Sequence, residues 1–168
     1  PSEASQAGAV AGKYKNDIAL YRARVLAGLK ALQASPHVDP NNIAVIGYCF
    51  GGTGALEAAR ARMPIKAVVT FHGALAYAGK DRSALSAPVL ALHGADDPFI
   101  KPAEVDAFEQ EMRERKADWQ VVKYSGAVHA FTQPMAGNDN SKGAAYNAVA
   151  DKRSWRAMKD FLAERFGR

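Results

Sequence analysis

Cysteine occurs once in the 168 residues, at Cys49, so no disulfide can form within the chain and one free thiol is left, either reactive or a small core filler. Long apolar runs are absent as well. None reaches the roughly 18 residues that a membrane helix needs, and the longest charge-free run, Pro40 to Leu56, is broken by Asn41, Asn42 and several glycines. Membrane partnership is therefore not expected. Neither charge sign dominates: 22 lysines and arginines against 17 acids give +5, and the two signs alternate in stretches such as Glu111 to Lys116. That is a solvated surface, and nucleic acid is not an expected partner. His, Cys and carboxylate residues nowhere cluster at metal-ligand spacing, so neither a metal nor another cofactor is expected. Pro1 to Gly12 lacks a basic, apolar signal pattern, which points to the cytoplasm, or to the periplasm if an upstream signal has been removed. With 48% hydrophobic and 23% charged residues, the chain suits one globular domain spanning 1–168 and is not disordered.

Hydrophobic periodicity sets out the elements. Ile18, Tyr21, Val25, Leu29 and Leu32 recur at helical spacing between Lys15 and Gln33, a helix that Ser35-Pro36 and Asp39-Pro40 end. Ile43 to Gly47 is apolar on both faces, as a strand inside a parallel sheet must be, and a helix follows from Gly52 to about Arg62. Lys66 to Phe71, Pro88 to His93 and Trp119 to Tyr124 read as further strands. Pro102 to Lys116 reads as a helix, and so does Ala145 to Phe166, with Trp155, Met158, Phe161 and Leu162 inward. Strand and helix alternate, which predicts a mostly parallel sheet in an α/β/α three-layer sandwich.

Gly47-Tyr48-Cys49-Phe50-Gly51-Gly52 stands where the first strand ends and a helix begins, the setting of a nucleophile elbow. Such a turn presents Cys49 at the carboxyl edge of the sheet, where the helix N-terminus favours the thiolate and the Phe50 N–H can meet a developing oxyanion. A glycine-rich turn around a buried cysteine would have the same sequence. A phosphate-binding turn fits poorly, because the Gly-Lys-Ser/Thr ending and the dinucleotide glycine spacing are both missing. Asp97, in His93-Gly94-Ala95-Asp96-Asp97-Pro98, follows another strand and is either an orienting acid or a helix cap. His129 follows the last strand and is either a base or a surface histidine. Cys49, Asp97 and His129 stand in nucleophile, acid, base order, each just past a strand, as in α/β-hydrolase triads. His72 and His93, beside glycines at strand ends, are expected to be packed or hydrogen-bonded, and His37 to face solvent.

Gly-Tyr-Cys-Phe-Gly-Gly, His-Gly-Ala-Asp-Asp-Pro-Phe and Val-His-Ala-Phe together resemble the dienelactone hydrolase family, from about Gly8 to Phe166. The resemblance implies an α/β-hydrolase fold and cleavage of a small-molecule ester or lactone through an acyl-cysteine. Cys49 would be the nucleophile, His129 the base and Asp97 the orienting acid, with the family's Gly-x-x-Asp spacing preferring Asp97 to Asp96. Two departures stand out. Four residues past His129 the family carries an arginine that grips a substrate carboxylate, and this chain has Gln133. The family's strands ahead of the elbow are also missing, together with a second oxyanion donor and the acid that controls the cysteine. The chain is accordingly expected to be the C-terminal portion of such a domain, completed by an N-terminal segment or a second chain beside Ile43 to Gly47 or Lys66 to Phe71. Two other classes stay open: a non-catalytic α/β-hydrolase-like interaction module and a thiol redox sensor using Cys49.

Overall fold

The computed structural model describes residues 4–167; residues 1–3 and 168, the ends of the expected domain, lie outside the described residues. Apolar runs rich in β-branched residues form β1 (Ala44–Tyr48), β2 (Ala67–Phe71), β3 (Val89–Gly94) and β4 (Trp119–Tyr124). All pairs are parallel, in the order β1-β2-β3-β4, with Val45 opposite Val68, Val69 opposite Leu90 and Leu92 opposite Val122. Helices α1 (Ala4–Lys15), α2 (Ile18–Gln33), α3 (Phe50–Arg60), α4 (Pro102–Glu114) and α5 (Ala148–Phe166) complete the framework.

Alternation along each strand divides the core. Val68, Val89 and Ala91 pack with Leu56 of α3 and with Val105, Phe108 and Met112 of α4. Val69, Phe71, Leu90 and Leu92 pack on the opposite face with Ala150, Met158 and Phe161 of α5. The result is the expected α/β/α sandwich of α/β-hydrolase type.

Four features depart from the sequence-based expectation. The helix assigned from Lys15 is preceded by α1, whose alanine-rich sequence has little apolar periodicity; Asp17 separates the two by accepting the Leu20 N–H at 2.9 Å, so Lys15 ends α1 and does not begin α2. On α2, Tyr21 and Leu29 are buried but Ile18 and Leu32 are exposed. Trp155 of α5, expected inward, is 51% exposed at the carboxyl edge. Lastly, β2 has partners on both sides, so no additional segment can pair with Lys66 to Phe71, whereas the outer edge of β1 has no partner among the described residues. Ile46 of β1 is correspondingly exposed, although its sequence reads as sheet interior, and so is Tyr48.

Alternation also fails once, because the β2–β3 crossover contains no helix. Buried arginines bond several of its carbonyls instead. Arg60 donates to the carbonyls of Leu75 at 2.8 Å and Ala76 at 3.3 Å, and Arg115 donates to that of Ser83 at 3.2 Å. Both guanidiniums are fully buried and paired: Arg60 with Glu57 at 3.0 Å and Glu111 at 2.7 Å, Arg115 with Glu111 at 2.9 Å. The Tyr77 ring lies 4.7 Å from one and 4.8 Å from the other, a cation–π arrangement. Removing one member strands the others' charge away from water. Arg60→Ala should therefore cost about 3–5 kcal/mol in urea unfolding. Lys123→Ala, which breaks the half-exposed 3.9 Å pair with Glu109, should cost less than about 1 kcal/mol.

Candidate active site

Between the end of β1 at Tyr48 and the start of α3 at Phe50, one residue reverses the chain. Cys49 does so at φ 50° and ψ −119°, a left-handed backbone that costs a non-glycine residue on the order of 1–3 kcal/mol. The turn is held from several sides. The Cys49 N–H donates to the Phe71 carbonyl at 3.0 Å and the Thr53 N–H to the Cys49 carbonyl at 3.2 Å. A Cβ on Gly47 would fall 2.0 Å from the Gly51 carbonyl oxygen, and one on Gly52 would fall 2.5 Å from Thr70 Oγ1, so only glycine allows strand and helix to approach this closely. Gly51, by contrast, has open space around it. From α2, the Tyr21 hydroxyl donates to the Phe50 carbonyl at 2.6 Å, and its ring stacks on Phe50 at 4.7 Å. Helix α3 thus begins at Phe50, two residues earlier than the periodicity indicates, and no side chain caps its first turn.

His129 follows β4 in a loop that the Gly143–Ala145 segment pins: the His129 N–H donates to Gly143 O at 3.2 Å, and the Ala145 N–H donates to His129 O at 3.0 Å. Side-chain amides of Asn140 and Asn147 hold the Gly126 carbonyl at the start of the same loop. His129 Nε2 lies 3.3 Å from Cys49 Sγ, and its Nδ1 lies 2.8 Å from Asp97 Oδ2. The other oxygen of Asp97 accepts the Phe99 N–H at 2.9 Å, so the carboxylate both orients the ring and closes its own turn. Asp96 instead accepts the Gly126 N–H at 2.9 Å. The Phe99 ring meets the His129 ring edge-on at 5.5 Å.

The electrostatics follow from these contacts. Hydrogen bonding from His129 outweighs burial and holds the Cys49 thiol well below its ordinary value, at about 5. Burial alone would push the His129 imidazole down; its bonds to Asp97 and Cys49 prevail and lift it to about 9. Between those values sulfur and ring form a thiolate–imidazolium pair. His93, buried beneath the site, is pushed below the usual imidazole range by its burial.

The Cys49 sulfur opens on a cleft of about 540 Å³ lined by Tyr48, His72, Gln133, Asp151 and Trp155, among others. Two clefts of similar size elsewhere are lined by neither cysteine nor histidine. Tyr48, Thr132 and Asp151 carry no sequence signal for the site, and Trp155 reads as core; the period-2 pattern of β1 places Tyr48 on a face but cannot tell that this face borders the site. His37 is exposed. Among the described residues no three His, Cys, Asp or Glu side chains could hold a metal, and no helix is long and apolar enough to cross a membrane.

A family model for dienelactone hydrolases matches residues 1–166. The chain belongs to the dienelactone hydrolase family. It is similar to the dienelactone hydrolase-like promiscuous phosphotriesterase P91 from metagenomic libraries, at 42% identity and TM-score 0.88, covering 96% of this chain and 68% of that one. The protein named m3DLH is 37% identical with TM-score 0.90, covering 98% and 69%. The Caenorhabditis elegans protein K02A2.1 is 38% identical over 146 residues, which span 85% of this chain and 92% of that protein. By contrast, the chain spans about half the length of a curated Yersinia pestis relative, 48% of it at 27% identity. Family and neighbours make the protein a hydrolase of the dienelactone hydrolase kind.

Alkylation of Cys49 by iodoacetamide should rise with pH through a midpoint near 5 and then level off, because only the thiolate reacts. In His129→Ala the midpoint should move up toward the ordinary thiol value of about 8.5, as read by intact mass against time.

Proposed function

We propose that the protein hydrolyses carboxylic esters or lactones through an acyl-cysteine, with Cys49 as nucleophile, His129 as acid and base, Asp97 as its orienting acid and the Phe50 N–H as oxyanion donor. The observation that carries this reading is the unbroken chain from Asp97 Oδ2 through His129 to Cys49 Sγ, at 2.8 and 3.3 Å. The thiolate attacks the ester carbonyl carbon, and the C=O electron pair moves to oxygen, toward the first N–H of α3. Collapse breaks the C–O bond, and His129 Nε2–H protonates the departing alkoxide, leaving an alcohol and a thioester. Neutral His129 then takes a proton from water as the water oxygen attacks the thioester. Expulsion of the thiolate releases the acid and leaves the proton on His129, restoring the starting pair.

Substrate charge follows from the cleft wall. Gln133 stands where the family's carboxylate-gripping arginine would be, and Asp151 adds an acid, so an uncharged ester or lactone fits better than a carboxylate-bearing lactone. The open edge of β1 belongs to the same reading: a further strand beside Ile43 to Gly47, from this polypeptide or another, would complete the sheet and bring a second oxyanion donor.

p-Nitrophenyl acetate tests the mechanism. Rapid quenching should find an acetyl group on Cys49 by peptide mass spectrometry, and Cys49→Ala should abolish turnover. Turnover that survives Cys49→Ala would remove the acyl-cysteine, and a folded protein with a reactive Cys49 but no hydrolysis would favour the interaction module or the redox sensor. Asp97→Asn should lower kcat by about 10²- to 10⁴-fold through loss of the correct tautomer, while Asp96→Asn should lower it less than about tenfold.

A further inference from the structure

We propose that His72 is a positioning residue of this site, holding the His129 loop against the nucleophile through its hydrogen bond to Thr132. The proposal rests on the reading of Cys49 and His129 as nucleophile and base. His72 is the first residue after β2, and the carbonyl of its neighbour Phe71 accepts the Cys49 N–H at 3.0 Å. Its own N–H donates to Leu92 O at 2.9 Å, so its backbone is tied to β3 while its neighbour's is tied to the elbow. The ring spans the site. Nε2 lies 2.9 Å from Thr132 Oγ1, three residues past His129, and the ring meets those of His129 and Phe131 edge-on, both at 5.2 Å. The titratable groups around it are His129 after β4, Tyr48 on β1 with its ring at 6.0 Å, Cys49 at the elbow, and Asp151 of α5 on the shared cleft wall.

Packing alone does not explain a histidine here. His72 is 3% exposed, its φ is 40°, and its Nδ1 is buried without a hydrogen-bond partner. A phenylalanine would fill the slot between Tyr48 and Phe131 with no unpaired nitrogen. Left-handed backbone and an unsatisfied ring nitrogen are both costs, and they fall on one residue beside the nucleophile, next to a second left-handed residue, Cys49. What the histidine adds over phenylalanine is the bond to Thr132. That bond ties β2, already fixed to Cys49, to the loop that carries His129, and so sets the separation of sulfur and base.

Two readouts in the intact chain test this: the pH midpoint of Cys49 alkylation, and kcat and KM on p-nitrophenyl acetate. His72→Phe and Thr132→Val should each raise the midpoint by roughly one pH unit. Each should also lower kcat about tenfold or more with little change in KM, since a displaced base harms chemistry before binding. The double variant should be no worse than the poorer single, because both remove one bond. His72→Gln, whose side-chain amide can reach Thr132, should recover most of the loss. If His72→Phe does not fold, Thr132→Val carries the test alone, keeping the volume and removing the hydroxyl. Unchanged midpoints and kcat, additive losses in the double, or lowered thermal stability without a midpoint shift would each overturn the proposal. Hydrolysis that persists in Cys49→Ala would instead overturn the acyl-cysteine, and the alkylation midpoint, which needs no ester, would still judge His72.

Discussion

The structure turns on one residue forced into a left-handed backbone. Cys49 at φ 50° is strained, and it stays there because Phe71 holds its N–H, Gly47 and Gly52 let strand and helix close to contact, and Tyr21 holds the Phe50 carbonyl from below. Each of these partners comes from a different element. The elbow is therefore a product of the packed domain, and the strain is balanced by the core around it. Its consequence is positional: the sulfur stands clear of the sheet edge with the unfilled first turn of α3 behind it.

Two ion assemblies of opposite character flank this turn. On the α3 and α4 face, Glu57, Arg60, Glu111 and Arg115 are buried and mutually paired, and the two arginines bond carbonyls of the irregular crossover. At the carboxyl edge, Cys49, His129 and Asp97 form a second charged chain, but its sulfur is exposed and opens on the cleft. Burial and mutual ion pairing keep the first assembly away from solvent. Partial exposure, with the pKa values of sulfur and ring crossed to about 5 and 9, leaves the second able to move a proton at neutral pH.

Much of this was legible because local patterns have local causes. The glycine spacing of the elbow reflects a steric demand within a few residues, and Gly94 to Asp97 is a short turn whose geometry the chain imposes on itself. Strands β2 and β3 read correctly because strands buried on both faces must be apolar throughout. Helix α1 was not legible, since alanine-rich segments form helices with little periodic signal. Trp155 was misplaced because an apolar stripe on a helix does not say whether it faces the core or a cleft. The same ambiguity concealed His72: a histidine beside a glycine at a strand end reads alike whether it packs or serves a site.

The sequence by itself determined most of the strands and helices, the parallel sheet, the glycine spacing of the turn at Cys49, and the order of Cys49, Asp97 and His129 past strand ends, since each depends on residues near in the chain or on the period of a face. Tertiary structure alone decided that β2 lies inside the sheet while β1 has no outer partner among the described residues, that Arg60 bonds carbonyls of a helix-free crossover, that sulfur and imidazole meet at 3.3 Å, and that His72 bonds Thr132 beside them. The physical reason is distance along the chain. Cys49 and His129 are 80 residues apart, and contacts of that span are set by how whole elements pack against one another, which no local pattern encodes.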